Sequence, residues 1–313
     1  MNLRRLVYFM RVADLGSLNR ASEALRIAQP ALSRQMRMLE QELGVTLFER
    51  TLRGMTLTEQ GEQLRRDIAG PLRQIYFAFE NVSLPGSQVA GGLNIGIEPG
   101  LRDMLALPLL DRIAAEEPGI EPRIVEGAVD HLAEWITRGD VDLVIFSGPS
   151  PSEVIVDRSL LTENLFLVGS AESVVQSASP IRFSAATALP LILPEARSGI
   201  VPILEKIAYI NKASLNVFRR VNSFDLLKQM VCRGQGFTVL PRSAIESELR
   251  DGQLAICPII DPALRQLVSI GATQDCKVPR LIQRADIIIR RTLADLVATG
   301  AWQATLSFEA DET

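Results

Sequence analysis

The apolar pattern of the 313-residue chain changes its period at residues 83–92. Before this segment apolar residues recur three and four positions apart, which predicts helices, whereas after it short strand-like apolar runs alternate with helical ones. The segment itself is rich in glycine and proline, which is typical of a hinge. The sequence therefore predicts an all-α N-terminal module, a hinge, and an α/β module with parallel strands.

The N-terminal module is predicted to form a winged helix-turn-helix. Helices are expected over residues 2–14 and 17–26, with Ser17 as N-cap of the second and Ala21, Ala24 and Leu25 on its inner face. A third helix begins near Pro30, where a missing N–H costs nothing. Its buried stripe is expected to be Leu32, Met36, Leu39 and Leu43. Residues 45–50 and 55–57 then predict the two strands of the wing.

The outer face of the third helix carries side chains suited to reading DNA. They are Gln29, Ser33, Arg34 and Arg37. Glutamine and arginine can form two-pronged hydrogen bonds with adenine and guanine edges in the major groove, and Arg50 and Arg53 flank the wing turn, near phosphates or the minor groove. Spacing alone is equally compatible with a helical bundle that has an arginine-rich surface. Residues 1–80 carry a net charge of +3 and residues 81–313 one of −7.

Residue counts argue against several classes of enzyme and metal protein. His131 is the single histidine, and the three cysteines are widely spaced without a C-x-x-C pattern, so triads, zinc sites and disulfide frameworks are not supported. Glycine-rich phosphate loops are absent as well, so no cofactor and no enzymatic activity are expected. Arg11 and Asp14 interrupt the apolar start, and no apolar run is long enough for a membrane helix, which indicates a cytoplasmic protein.

Four segments carry a resemblance to a known family. They are residues 17–25 (SLNRASEAL), 28–35 (AQPALSRQ), 39–50 (LEQELGVTLFER) and 57–61 (LTEQG). Their order and spacing resemble the DNA-binding half of LysR-type transcriptional regulators. The family usually has a hydroxyl residue at the position of Ala28. The resemblance implies that double-stranded operator DNA contacts a set of seven residues: Gln29, Pro30, Ser33, Arg34, Arg37, Arg50 and Arg53.

The segment that follows is predicted to be a long linker helix capped by Thr58. Its apolar stripe consists of Leu64, Ile68, Leu72, Ile75, Phe79 and Val82. An interior proline removes a hydrogen bond and clashes with the preceding turn, so Pro71 predicts a kink or a break. The resemblance implies that this helix pairs with its copy in a second subunit, with paired effector domains completing a homotetramer. The predicted boundaries are residues 1–58, 59–91 and 92–313.

The α/β module is expected to form two lobes, residues 92–161 with 268–313 and residues 162–267, around a ligand cleft. Strands are predicted at residues 93–97, 122–126, 143–146, 165–168, 189–193, 215–218, 237–240 and 267–270. This pattern resembles the effector domain of the same family and periplasmic binding proteins. Within the family, Pro99-Gly100, Leu191–Pro194 and Arg219–Val221 resemble the nitrogen assimilation control type. The tail 300–313 has no predicted role.

The family pattern assigns a set of residues to the cleft. They are Gly100, Leu101, Arg102, Ala128, Val129, Phe146, Ser147, Arg197, Ser198, Gly199, Ile200 and Ser223. Apolar walls beside serine hydroxyls predict a small, partly apolar carboxylate as the effector. Arg102 and Arg197 could supply positive charge, although each is equally well explained as a solvated surface group.

Two functional classes follow from these patterns. The leading one is a transcriptional regulator that binds operator DNA and senses a small molecule, with RNA polymerase as a candidate partner. The alternative is a stand-alone small-molecule binding protein or enzyme with the periplasmic-binding fold. The arginine-bearing winged module and the missing catalytic constellation favour the regulator.

Overall fold

The computed structural model describes residues 2–51, 54–82, 89–150, 152, 155–173, 180–195, 199–273 and 280–309. The chain forms two compact units: Met1–Leu84 with Thr137–Asp140, and Pro85–Ile136 with Val141–Thr313. Within the described ranges, no helix is both long and apolar enough to cross a membrane.

The first unit is a helical domain with a hairpin. Its elements are α1 (Leu3–Leu15), α2 (Leu18–Leu25), α3 (Gln29–Leu43), β1 (Phe48–Thr51), β2 (Gly54–Leu57) and α4 (Glu59–Val82). As predicted, Ser17 caps α2, its Oγ accepting a hydrogen bond from the N–H of Arg20. Gly16 and Gly44 end α1 and α3 in the left-handed conformation that glycine adopts without penalty.

The core of the first unit confirms most of the predicted stripes. Leu32, Met36 and Leu39 of α3 are buried in one cluster with residues of α1, and the ring of Phe9 in α1 lies 5.3 Å from the ring of Phe48 in β1. Two expectations were wrong. Leu43 is 38% exposed because it lies in the last turn of α3. On α2, Ala24 is exposed and Ser22 is buried instead, its hydroxyl donating to the carbonyl of Asn19.

Helix α4 runs through Pro71 without interruption, so the predicted break does not occur. Thr58 accepts a hydrogen bond from the N–H of Gly61 at 3.0 Å, which confirms the predicted cap. Leu72 is buried in the core of the first unit, with Ile68 packed against the same cluster. This packing on both sides of the proline offsets the single hydrogen bond that proline removes.

The second unit alternates strands and helices. Its elements are β3 (Gly91–Ile97), α5 (Pro99–Glu116), β4 (Ile120–Glu126), α6 (Val129–Arg138), β5 (Leu143–Ser147), β6 (Ile155–Ser170), β7 (Ile181–Arg182), α7 (Phe183–Ala188), β8 (Leu191–Pro194), α8 (Ile200–Ile210), β9 (Val217–Val221), α9 (Phe224–Cys232), β10 (Thr238–Pro241), a 3-10 turn (Arg242–Ile245), α10 (Glu246–Arg250), β11 (Leu254–Ile260), β12 (Arg265–Thr273), α11 (Arg280–Ala298) and β13 (Ala304–Leu306).

Two long antiparallel strands connect the lobes of this unit. The main sheet has the order β4-β3-β5-β12-β6-β11-β7, with β3 parallel to both β4 and β5. The first part of β6 pairs with β12, and its last part pairs with β10 and β11. Lobe one therefore surrounds β3, β4 and β5, and lobe two surrounds β8 to β11. This confirms the predicted class of two α/β lobes joined by crossing strands.

The C-terminal tail belongs to this fold. Strand β13 pairs with β6 so that Ala304 lies opposite Glu163 and Leu306 opposite Leu161. Trp302, just before β13, is fully buried, with 1% of its surface exposed. The tail therefore adds a strand to the crossing region, a role that the sequence pattern did not predict.

Candidate DNA-binding face and effector cleft

Helix α3 presents a polar face on the side opposite its buried stripe. We call this the α3 face, and it consists of Gln29, Pro30, Ser33, Arg34 and Arg37. Arg34 and Arg37 are exposed, and neither forms an ion pair with any residue of the described part of the chain. Their guanidinium groups therefore keep all their donors available, as contacts with base edges or phosphates require.

Two side chains hold α3 in place. Arg5 of α1 donates from Nε to Oε1 of Gln35 at 3.1 Å and from Nη1 to Oε2 of Glu42 at 2.7 Å. In the same C-terminal half of α3, Oε1 of Glu40 accepts hydrogen bonds from the N–H groups of Leu47 and Phe48, at 2.8 and 3.3 Å. These contacts fix α3 against α1 and the wing. Sequence spacing did not assign this role to Arg5 or Glu40.

The start of α3 and the wing show two further constraints. Ala28 is the N-cap of α3 and makes no side-chain cap, as its lack of a hydroxyl implies. In the wing, a Cβ on Gly54 would lie 2.4 Å from the carbonyl oxygen of Gly16, so only glycine fits there. The Arg50 side chain and Arg53 lie outside the described residues, so their predicted DNA contacts stay predictions.

A cavity of about 300 Å³ lies between the two lobes of the second unit. We call it the interlobe cavity. Seven of the predicted cleft residues line it: Gly100, Leu101, Ala128, Val129, Ser147, Ile200 and Ser223. The structure places Gly100 and Leu101 in the first turn of α5 and not in a loop, because this helix begins at Pro99.

Three predicted residues do not line the cavity. Phe146 is fully buried in the core of lobe one, beneath the cavity surface. Arg102 points away and donates to Asp103 and Glu126, at 2.8 and 2.5 Å. Gly199 forms the turn before α8 in a backbone conformation with φ of +74°. Arg197 and Ser198 fall outside the described residues, so their assignment remains a prediction.

The cavity also contains residues that sequence reasoning missed. The apolar ones are Val221, Phe224, Leu227, Leu240 and Ala244, and the polar ones include Glu98, Asp130, Glu195, Asn222 and Gln266. His131, the single histidine of the chain, lies at the exposed rim. Glu98 could have been noticed, since it follows a buried strand and precedes Pro99.

Glu98 is the carboxylate at the end of β3. Its Oε2 accepts hydrogen bonds from the N–H and the Oγ–H of Ser147, at 2.7 and 2.6 Å. Burial raises the pKa of the Glu98 carboxyl, and the Ser147 hydrogen bonds oppose that rise only in part. A Cβ on Gly199 would lie 3.1 Å from Oε1 of Glu98. Glu98 of lobe one thus extends to the start of α8 in lobe two.

A second buried carboxylate lies below the cavity floor. Glu163 of β6 accepts hydrogen bonds from Oγ of Ser243 at 2.6 Å, Nε2 of Gln266 at 2.8 Å and Nε1 of Trp302 at 2.9 Å. Burial raises the pKa of the Glu163 carboxyl by more than the three donors lower it. The crossing strands, lobe two and the tail therefore meet at one carboxylate. Gln266 also lines the cavity, so this network reaches the cavity wall.

Two family models match the chain. "Bacterial regulatory helix-turn-helix protein, lysR family" covers residues 3–62, and "LysR substrate binding domain" covers residues 86–285. The chain belongs to the LysR family. It is a LysR-type transcriptional regulator with a helix-turn-helix DNA-binding domain and an effector-binding domain.

Curated relatives of this LysR-type regulator agree with the resemblance seen in the sequence. The nitrogen assimilation regulatory protein nac of Klebsiella aerogenes is 35% identical over 248 residues, which is 79% of this chain and 80% of the relative. The nac protein of Escherichia coli K12 gives the same identity and coverage. BbuR of Bordetella bronchiseptica is 28% identical over 295 residues, covering 94% and 90% of the two chains.

Solved structures show the same fold. Full-length OxyR of Pseudomonas aeruginosa matches with a TM-score of 0.74 at 23% identity, covering 94% of each chain. CbnR in complex with its target DNA matches with a TM-score of 0.65 at 21% identity, covering 93% of this chain and all of CbnR. These two matches show the fold. The alternative of a stand-alone binding protein is not supported because residues 3–62 match the lysR-family helix-turn-helix model.

Proposed function

We propose that this LysR-type regulator reads operator DNA through the α3 face and binds a small-molecule effector in the interlobe cavity. The observation that supports the first part most directly is the pair of exposed arginines on α3 that have no ion-pair partner in the described chain. Uncompensated guanidinium groups on a rigid helix are suited to a polyanion with hydrogen-bond acceptors in its groove.

The residues of the α3 face are proposed to make two kinds of DNA contact. Gln29, Ser33 and Arg34 lie in the N-terminal half of α3, the part that contacts base edges in helix-turn-helix proteins. Arg37 lies one turn further along, where a phosphate contact is expected. CbnR, which shares the fold, has been solved with its target DNA, and this supports the proposed role of the N-terminal unit.

We further propose that the chain acts in the cytoplasm as a homodimer or homotetramer, with RNA polymerase as a partner. The packing of α4 supports pairing through one part of this helix. Leu64, Ile68 and Leu72 pack on the core of their own unit, and Ile75 is 37% exposed. Pairing through α4 would therefore use its C-terminal half. Effector binding can alter DNA binding only through different affinities for two arrangements of such an assembly.

The proposal is tested by mobility shifts with the promoter DNA beside the gene, on wild-type protein, Arg34→Ala and Arg123→Ala. Arg34→Ala should cost about 1–3 kcal/mol of specific binding while random DNA binding changes less. Arg123 is the matched control because it is exposed on β4 in the other unit. Equal losses on promoter and random DNA would refute base reading by Arg34, and no promoter binding by wild type would refute the function.

A further inference from the structure

The charged side chains of the interlobe cavity are mostly acidic. Glu98 lies inside it, while Asp130 and Glu195 are exposed at its rim beside His131. Among the described residues that line the cavity there is no lysine and no arginine. An anionic ligand would therefore meet carboxylates and no guanidinium or ammonium group from this lining.

Two basic residues that follow cavity-lining residues directly in the chain, Arg102 and Lys228, form ion pairs with other partners. Arg102 forms ion pairs with Asp103, Glu126 and Asp225. Lys228, which is 7% exposed, pairs with Glu248 at 2.7 Å and with Asp103 at 3.4 Å. Recruiting either cation to a ligand would break these pairs. Neither Arg102 nor Lys228 forms an ion pair with Glu98.

Glu98 has one oxygen available for a ligand. Its Oε2 is occupied by both donors of Ser147, which fixes the plane of the carboxylate. Its Oε1 has no hydrogen-bond partner in the described chain. The raised pKa of Glu98 shows that the two bonds from Ser147 do not fully offset the cost of burying its charge. A cation beside Oε1 would offset the remainder.

The start of α5 is poorly suited to a carboxylate ligand. Helix N-termini attract anions through free N–H groups, but here Pro99 has no N–H and the N–H of Leu101 donates to the carbonyl of Glu98. The Glu98 carboxylate itself lies beside this terminus. The carboxylate effector predicted from the sequence would add a second negative charge next to it.

Beside the polar side chains of Asn222, Ser223 and Gln266, the cavity has apolar walls, formed by Leu101, Val129, Ile200, Phe224, Leu227 and Leu240. A cavity of about 300 Å³ with such walls fits a ligand of a few carbons or one ring. We infer that the effector is an organic ammonium ion whose charged group binds Oε1 of Glu98 and whose apolar body contacts these walls. This inference rests on the proposed role of the cavity as the effector site.

The test compares three ligands that share one ring: benzylamine, benzyl alcohol and benzoate. Thermal unfolding of the full chain at millimolar ligand should show the largest increase in melting temperature with benzylamine and the smallest with benzoate, since a ligand that binds only the folded state stabilises it. An equal or larger increase with benzoate, or no increase with benzylamine, overturns the inference.

Calorimetric titration of two variants assigns the contact. Glu98→Gln keeps an oxygen that can accept from Ser147 but removes the charge, and should weaken benzylamine about tenfold or more. Glu121→Gln removes an exposed carboxylate on β4 and should leave the affinity unchanged. Unchanged benzylamine affinity in folded Glu98→Gln overturns the inference. Should that variant unfold, the ligand order on wild-type protein decides alone.

Promoter mobility shifts on the same samples separate this inference from the proposed function. A chain that binds promoter DNA but prefers benzoate overturns the ligand class only. A chain that binds benzylamine through Glu98 but fails to bind the promoter overturns DNA recognition and leaves the ligand class standing.

Discussion

In the N-terminal unit, Arg34 and Arg37 project from α3 without ion-pair partners in the described chain, whereas in the second unit Arg102 and Lys228 each contact more than one carboxylate. The second unit goes further and buries Glu163 within its own fold. The charge of Arg34 and Arg37 is therefore available to another molecule, whereas the charge of Arg102 and Lys228 holds elements of their own unit together. The difference matches a DNA reader attached to a sensor, and three substitutions probe it.

The largest expected effect is a loss of stability when a hydrogen-bond donor to the buried Glu163 is removed. Trp302→Ala leaves a cavity and removes one of the three donors to Glu163, which should cost about 3–5 kcal/mol of unfolding free energy. Hydrogen exchange should become faster in β6 and β12, while exchange in α3 stays unchanged. Thr305→Ala, an exposed position on β13, is the control. If both variants cost the same, the tail does not stabilise the crossing strands.

The stability of the fold should depend on pH through the buried carboxyl of Glu163. Because burial raises the pKa of Glu163, the folded state binds more protons than the unfolded state between the two pKa values, and stability falls as pH rises through that interval. Glu163→Gln removes this fall. As pH rises through the interval, the unfolding free energy of the variant should therefore increase relative to that of the wild type, by about 1.4 kcal/mol in total for each unit by which folding raises the pKa. The introduced amide can keep all three contacts if the Gln266 amide rotates.

The measurement is urea unfolding at a series of pH values, with Glu121→Gln as the exposed control. That control should keep the wild-type pH profile. A Glu163→Gln profile parallel to the wild type would mean that Glu163 titrates alike in the folded and unfolded chain.

The smallest expected effect is on DNA affinity, when the exposed charge of Arg37 on the α3 face is removed. Arg37→Ala should weaken promoter and random DNA alike and should lower the slope of log affinity against log salt by about 0.9, the value for one phosphate contact. Fluorescence anisotropy over a salt series measures the slope, with Arg123→Ala as reference. A loss of affinity confined to promoter DNA would mean that Arg37 contacts base edges, the role proposed for Arg34, and not a phosphate.

The N-terminal unit could be predicted from its sequence because its contacts are local. The three- and four-residue spacing of Leu32, Met36 and Leu39 fixed which face of α3 is buried, and therefore which face carries Arg34. The errors, at Ala24 and Leu43, lie at helix ends, where periodicity no longer decides which side chains are buried.

The cavity and the crossing strands were predicted less well because their chemistry depends on distant partners. Charged and polar residues interrupt the first part of β6, so the pattern predicted a strand only at residues 165–168. Glu163 resembles an exposed residue in the sequence, since its donors are 80, 103 and 139 positions away. Glu98 was missed for a similar reason: its partner Ser147 lies 49 positions along the chain.

The strand contributed by the tail also affects the order in which the protein is completed during synthesis. Trp302 follows Glu163 by 139 residues, so at about 5–20 residues per second the ribosome adds it roughly 7–28 s later. The winged unit has by then all the residues of its core. A nascent chain could therefore hold a finished DNA-binding unit while Glu163 is still hydrated and ionised, and the sensor closes around that carboxylate only after the tail has been made.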